Sequence, residues 1–134
     1  MYTVYRVSSQ APAVPADLSL LLGRDYWLVL STPEQGTDQA AIEAHVEAHV
    51  AWLLGLERAD VLLASGPLLS GPGAGPGSGV TVLRAPDEDT ARRIAAGDPF
   101  VQAGLRTFEV CRWRLNEGRI RIRLSLGTGT YDWH

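Results

Sequence analysis

The sequence predicts an α+β fold built as one domain of 134 residues. Three features support this prediction. Apolar runs of strand length are bounded by turn residues, two longer segments are suited to helices, and an aspartate stands near the start of each of these segments. The resulting order of elements is strand, helix, strand, strand, helix, strand, and a chain of this length is expected to fold around a single core.

The first half of the predicted core contains a strand and the longer helix. Residues 26–31 form a continuous apolar run, which is typical of a buried strand. After a short turn, Thr37 or Asp38 can cap a helix that extends to about Glu57. The apolar side chains of this helix fall on one stripe at helical spacing: Ile42, Val46, Val50, Leu53 and Leu54.

The second half of the core begins with two strands, predicted over residues 61–65 and 79–84. Between them, residues 66–79 contain six glycines and three prolines, a composition that is incompatible with regular structure. Asp87 can cap a second helix over residues 88–96, because its side chain can accept a hydrogen bond from the first turn.

The core ends with a further helical turn and a fourth strand. Asp98 can cap this turn with Pro99 at its first position, and residues 106–114 alternate as a strand. This order of elements predicts a ferredoxin-like sandwich, in which both helices cover one face of an antiparallel sheet. The right-handed crossover rule then brings Ser65, the start of the first helix and Asp98 to one edge.

Two extensions flank this core. Residues 1–25 form an N-terminal arm that includes a short strand, predicted over residues 2–7. Residues 115–134 form a C-terminal extension in which residues 119–124 alternate arginine with aliphatic side chains, as in a half-buried strand. Turn residues precede this extra strand, which favours a hairpin with the fourth strand of the core.

The composition excludes several classes of function. A net charge of −3 gives no reason to expect a nucleic acid or an anionic membrane as partner. No apolar run approaches the roughly 20 residues that cross a bilayer. All 12 basic residues are arginine, which excludes chemistry through a lysine amine. With one cysteine, Cys111, and no secretory signal, we expect a cytoplasmic protein without an internal disulfide.

Several short motifs together resemble the YciI-like (YCII-related) family of small α+β proteins. They comprise residues 49–53 in the first helix, residues 64–68 at the end of the second strand, and residues 98–105, which are the most specific. The resemblance covers about residues 26–114. It implies a domain of the dimeric α/β-barrel type, hence a homodimer, and a small-molecule substrate without a cofactor.

The resemblance also implies an active site. The histidine-aspartate dyad of the family corresponds to His49 and Asp98, and members with an assigned activity include a dehydrochlorinase that acts on a hydroxylated aromatic ring. A histidine beside a carboxylate can take and return a proton near pH 7. We therefore expect acid/base catalysis of an elimination, a dehydrochlorination or an isomerisation on a small cyclic or aromatic metabolite.

The residues leave alternatives open. His45 lies one turn before His49 and is a rival for the catalytic base, while Ser65 could orient a substrate hydroxyl. The two histidines could bind a metal, but no third ligand is evident, so no metal is expected. Residues 66–79 are a candidate lid. The alternative function is a non-catalytic dimeric module that binds a ligand or assists another protein, with His49 and Asp98 in a structural role.

Overall fold

The structure is a computed structural model that describes residue 14 and residues 17–133. The chain divides into two compact units, one of residues 24–115 and one of residues 1–23 with 116–134. We call them the core unit and the terminal unit. The strand predicted over residues 2–7 lies outside the described residues. None of the described helices is long and apolar enough to span a membrane.

The core unit contains a four-stranded antiparallel sheet and three helices. In chain order its elements are β1 (Arg24–Pro33), α1 (Gln39–Arg58), β2 (Leu62–Pro67), β3 (Gly79–Leu83), α2 (Glu88–Ala96), α3 (Pro99–Gln102) and β4 (Arg106–Leu115). The strands are ordered β2-β3-β1-β4 across the sheet. This arrangement confirms the predicted ferredoxin-like fold. The strand β2 runs to Pro67, further into the glycine-rich segment than predicted, since an edge strand tolerates proline.

The core forms where helix α2 packs on the sheet. Val29 of β1, Leu83 of β3 and Val110 of β4 are buried together with Ala91 and Ala95 of α2. The two alanines are short enough to bring α2 close to the strands. Each valine or leucine buried in this way contributes roughly 1.5–3 kcal/mol.

The predicted caps begin the two long helices. The Asp38 carboxylate accepts a hydrogen bond from the Ala41 N–H at 2.9 Å, and the Asp87 carboxylate accepts one from the Thr90 N–H at 2.7 Å. Each bond satisfies an amide that has no partner within the helix. These caps fix where α1 and α2 leave the sheet, and so set the position of the histidines on α1.

The terminal unit contains a two-stranded hairpin of β5 (Ile122–Ser125) and β6 (Thr130–Trp133). The predicted pairing of the extra strand with β4 is therefore wrong, because β5 pairs with the segment that follows it. The connecting turn contains Gly129 with a φ of 65°, a left-handed conformation that glycine adopts readily. This local turn decides the pairing.

Candidate active site

A cavity of about 600 Å³ lies beside α1 in the core unit. Ile42, Val46, Val50 and Leu53 of α1 line it, and so do residues 65–69 and 75–79. The apolar stripe predicted on the first helix therefore faces a cavity along much of its length. Val46 and Val50 accordingly remain 44% exposed.

His49 lies in the wall of this cavity and is bonded to the Asp98 carboxylate. The distance from His49 Nδ1 to Asp98 Oδ1 is 2.8 Å, and both residues are buried. Asp98 also caps α3, since the same oxygen accepts the Phe100 N–H at 3.0 Å. The short helix thereby fixes the carboxylate that holds the imidazole.

The bond to Asp98 determines which histidine nitrogen is available to a ligand. An ionised carboxylate only accepts hydrogen bonds, so Nδ1 of His49 carries the proton. Within the described residues, His49 Nε2 has no hydrogen-bond partner, yet no buried side-chain nitrogen or oxygen there lacks one. It follows that Nε2 is accessible, on a residue that lines the cavity.

Arg106 holds the second oxygen of the Asp98 carboxylate. Its Nε donates to Asp98 Oδ2 at 2.9 Å, its Nη2 donates to the same oxygen, and its Nη1 donates to the Gly77 carbonyl at 3.2 Å. Burial raises the pKa of the Asp98 carboxyl, but the hydrogen bond from His49, the charge of Arg106 and the Phe100 N–H outweigh this effect. The pKa therefore lies below its ordinary value, and Asp98 is ionised at neutral pH.

Aromatic rings fix the orientation of the imidazole. The Phe100 ring stacks on His49 with a centroid distance of 4.2 Å and an interplanar angle of 17°. The ring centroids of Trp52 and His49 are 5.8 Å apart, and the Arg106 guanidinium lies 5.1 Å from the centroid of the Phe100 ring. These contacts restrict rotation of the ring about its side-chain bonds, so Nε2 keeps one direction.

The loop of residues 68–78, which joins β2 to β3 and which we call the glycine loop, is anchored at its C-terminal end. The hydroxyl of the buried Ser78 donates to a loop carbonyl and accepts the Gly75 N–H at 3.0 Å. Gly77 has a φ of 92°, and a Cβ there would lie 3.0 Å from Ile42 Cδ1. With the bond from Arg106, these contacts hold the loop against the dyad and α1.

The family model described as the YCII-related domain matches residues 26–114. The chain belongs to the YCII-related family. Among solved structures, it is similar to 5-chloro-2-hydroxyhydroquinone dehydrochlorinase from Burkholderia phenoliruptrix AC1100, in complex with 2,5-dihydroxybenzoquinone. The identity is 27% and the TM-score 0.54, and the match covers 66% of this chain and 92% of that chain. No curated protein sequence matches the chain.

The other predicted site residues of this YCII-related protein, Ser65 and His45, lie in different surroundings. The Ser65 hydroxyl lies 2.8 Å from the Thr81 hydroxyl across β2 and β3, and both residues line the cavity. His45 Nδ1 lies 3.0 Å from the Ala41 carbonyl, one turn earlier on α1. Among the described residues, no three histidine, cysteine, aspartate or glutamate side chains are arranged to hold a metal.

Sequence reasoning missed Arg106, Thr81 and the stacking role of Phe100. The sequence contained an indication of the role of Arg106, because Arg106 lies on the same face of β4 as Phe108 and Val110. A permanent cation on the inner face of a strand requires a buried anion. Asp98 was the obvious candidate in the YCII-related motif that precedes this strand.

Proposed function

We propose that this YCII-related protein is a cofactor-free enzyme that transfers a proton on a hydroxylated cyclic or aromatic metabolite, with His49 as the general acid/base. One observation carries the proposal. Nε2 of His49 is accessible on a residue that lines a largely apolar cavity, while Nδ1 is held by a buried, ionised Asp98. This is the arrangement that a neutral imidazole requires to act as a base.

The proposed reaction starts when Nε2 of His49 takes a proton from a hydroxyl or carbon of the bound ring. In an elimination, the electron pair released by that bond forms a new double bond, and chloride or another leaving group departs with its own pair. The imidazolium then releases its proton to solvent. In an isomerisation, it returns the proton to another atom of the substrate.

Asp98 and Arg106 support this cycle without changing their own charge. Their charges cancel, so a protonated His49 gives the site one net positive charge beside the substrate anion. Nδ1–H of His49 keeps its hydrogen bond to Asp98 in both protonation states, which stabilises the imidazolium as it forms. We assign Arg106 as a positioning residue, because it holds the carboxylate and does not act on the substrate.

The Ser65 and Thr81 hydroxyls are proposed to orient an oxygen of the substrate. Their mutual hydrogen bond uses one of two hydroxyl protons, which leaves one donor and several acceptor sites for a ligand. The 2,5-dihydroxybenzoquinone bound in the similar structure is a ring with oxygen substituents. This likeness supports a ring substrate for the present chain. The homodimer expected for the family is also part of the proposal.

The test compares variants of the two α1 histidines in the full chain. Halogenated hydroquinols, including 5-chloro-2-hydroxyhydroquinone, serve as trial substrates, with chloride release as the readout. We expect His49→Gln to lower kcat by roughly 10²–10⁴-fold, the contribution of a general base. His45→Gln is the matched control, expected to keep kcat within about twofold. Loss of turnover only in His45→Gln would move the base to His45.

The alternative is a binding module without turnover. This alternative is favoured by the hydrogen bonding of Asp98. Both of its carboxylate oxygens accept hydrogen bonds from protein groups, which is also expected if the His49–Asp98 pair has a purely structural role. In that case His49→Gln would change stability while the wild type released no product from any substrate that it binds. Light scattering of the purified chain measures the oligomeric state separately.

A further inference from the structure

We infer that the cavity takes a hydroxylated polycyclic aromatic compound of two or three fused rings, and that one ring is too small to fill it. This inference rests on the proposed function for the site, and it adds the class of substrate. It follows from the size, shape and charge of the cavity.

The volume of the cavity exceeds what one ring requires. A dry apolar cavity of roughly 150 Å³ is sufficient to hold a benzene molecule. The cavity beside α1 measures about 600 Å³. A single substituted ring next to His49 would therefore leave most of the volume to water, against side chains that are mainly apolar.

The cavity is also elongated along α1. Its lining on this helix runs from Gln39 to Leu53. With a rise of about 1.5 Å per residue, these two positions lie about 21 Å apart along the helix axis. His49 lies within this stretch, so a ring that reaches Nε2 leaves part of the apolar stripe free for a further ring.

The charge of the lining selects against phosphorylated or multiply anionic ligands. Among the described lining residues, Arg106 is the only permanent charge, and Asp98 already neutralises it. The remaining polar groups are hydroxyls, one amide side chain, backbone groups and His49. Such a wall binds one or two ring oxygens and otherwise contacts an apolar body.

The apolar contact surface already lies at the cavity. Val46 and Val50 project from α1 with 44% of their surface exposed, although buried valine is the usual state. A second fused ring would cover them and remove this apolar surface from water. The gain in affinity should therefore appear with the second ring and depend on Val46.

The experiment is a binding series in which the polar head is kept and the body grows. The probes are 2-hydroxy-1,4-benzoquinone, 2-hydroxy-1,4-naphthoquinone and 2-hydroxy-1,4-anthraquinone, which share one hydroxyquinone ring with a single acidic hydroxyl, titrated calorimetrically into the full chain. We expect the naphthoquinone to bind at least tenfold more tightly than the benzoquinone. The inference is overturned if the single ring binds as tightly as the larger probes, or if no probe binds.

Two variants locate the effect. Val46→Trp fills the cavity beside His49, so the affinity ratio between the two-ring and one-ring probes should fall close to one. Ala51→Trp places the same side chain on an exposed position of α1 that does not line the cavity, and the ratio should stay at the wild-type value. A preference for two rings that survives Val46→Trp would contradict the inference.

The series separates this inference from the proposed function. Tight binding of the larger probes without any His49-dependent turnover would retain the substrate class and reject the enzyme. Turnover that depends on His49 but is confined to single rings would retain the enzyme and reject the polycyclic substrate.

Discussion

Asp98 and Asp25 are two carboxylates with similar partners in different surroundings. Asp98 is held by Arg106 and His49, and Asp25 accepts hydrogen bonds from Arg114 at 2.6 Å and Arg112 at 3.0 Å. The side chain of Asp98 is 3% exposed, while that of Asp25 is 25% exposed with partners above half exposed. Each carboxyl has a pKa below its ordinary value, for Asp25 because of Arg114 and then Arg112.

The comparison shows that the number of hydrogen bonds to a carboxylate does not by itself determine how much its removal costs. Removing one member of a buried pair leaves a charge that water cannot reach, whereas an exposed partner is simply rehydrated. Asp98 is therefore expected to matter to both folding and the site. Asp25 should matter to neither, although two arginines hold it.

The largest expected effect is on folding stability. Asp98→Asn should lower the free energy of unfolding by roughly 3–5 kcal/mol, because it leaves the buried Arg106 charge uncompensated. Asp25→Asn should give a urea unfolding midpoint that is hard to distinguish from the wild type. Urea unfolding of the three proteins measures both effects. Equal losses in the two variants would show that burial does not separate the two carboxylates.

A smaller effect is expected on the geometry of the dyad. Arg106→Lys keeps the charge, but a lysine cannot bridge Asp98 Oδ2 and the Gly77 carbonyl as a planar fork does. We expect the folded protein to persist with His49 in a mixture of tautomers, visible in the ¹⁵N shifts of its ring. The assay of chloride release should show kcat falling about tenfold.

Arg112→Lys is the matched control for this change, since it alters the exposed cluster with the same chemistry. It should leave the His49 ¹⁵N shifts and kcat unchanged. If Arg106→Lys also leaves both unchanged, Arg106 is a structural ion pair and not a positioning residue.

The smallest expected effect is the dependence of the unfolding free energy on pH and on salt concentration. The Asp98 carboxyl has a lower pKa in the folded state than its unfolded value of 3.8, so it stabilises the fold above that pH. This stabilisation is lost as the pH falls through the folded pKa. The unfolding free energy of the wild type should therefore drop more steeply below about pH 4 than that of Asp98→Asn.

The salt concentration should affect the interactions of Asp25 and Asp98 differently. At 1 M NaCl the screening length is about 3 Å, which weakens interactions between exposed charges but not those inside the core. At this salt concentration Asp25→Asn should stay indistinguishable from the wild type in stability, and the difference between the wild type and Asp98→Asn should persist. Loss of the Asp98→Asn difference at high salt would contradict the burial of Asp98.

The order of helices and strands in the core could be predicted from the sequence because the residues that begin and end each element are local in the chain. The Asp87 cap and the glycine after Ala96 bound α2, and the structure has the same limits of residues 88–96. The pairing of β5 was mispredicted because two turns compete there, and sequence alone does not rank them. The turn with Gly129 prevails.

The site was harder to predict than the fold because its contacts join distant positions. The crossover rule predicted that the start of α1 and Asp98 share one edge, but His49 was paired with Asp98 only through the family resemblance. The catalytic role of this pair stays a prediction. Asp98 was expected to cap its helix and, separately, to pair with His49, and its Oδ1 does both. The partner of Arg106 is fixed by how β4 follows α3 in space, which no spacing along the chain specifies.

The glycine loop has one consequence for how such a protein can diversify. Its tip, residues 69–73, is exposed, while Ser78 anchors the end that meets the dyad. Insertions and deletions at the tip can therefore accumulate without displacing His49 or Asp98. Changes in this single surface segment can therefore alter the wall of the cavity, to which Leu69 contributes, while the His49–Asp98 pair stays in place.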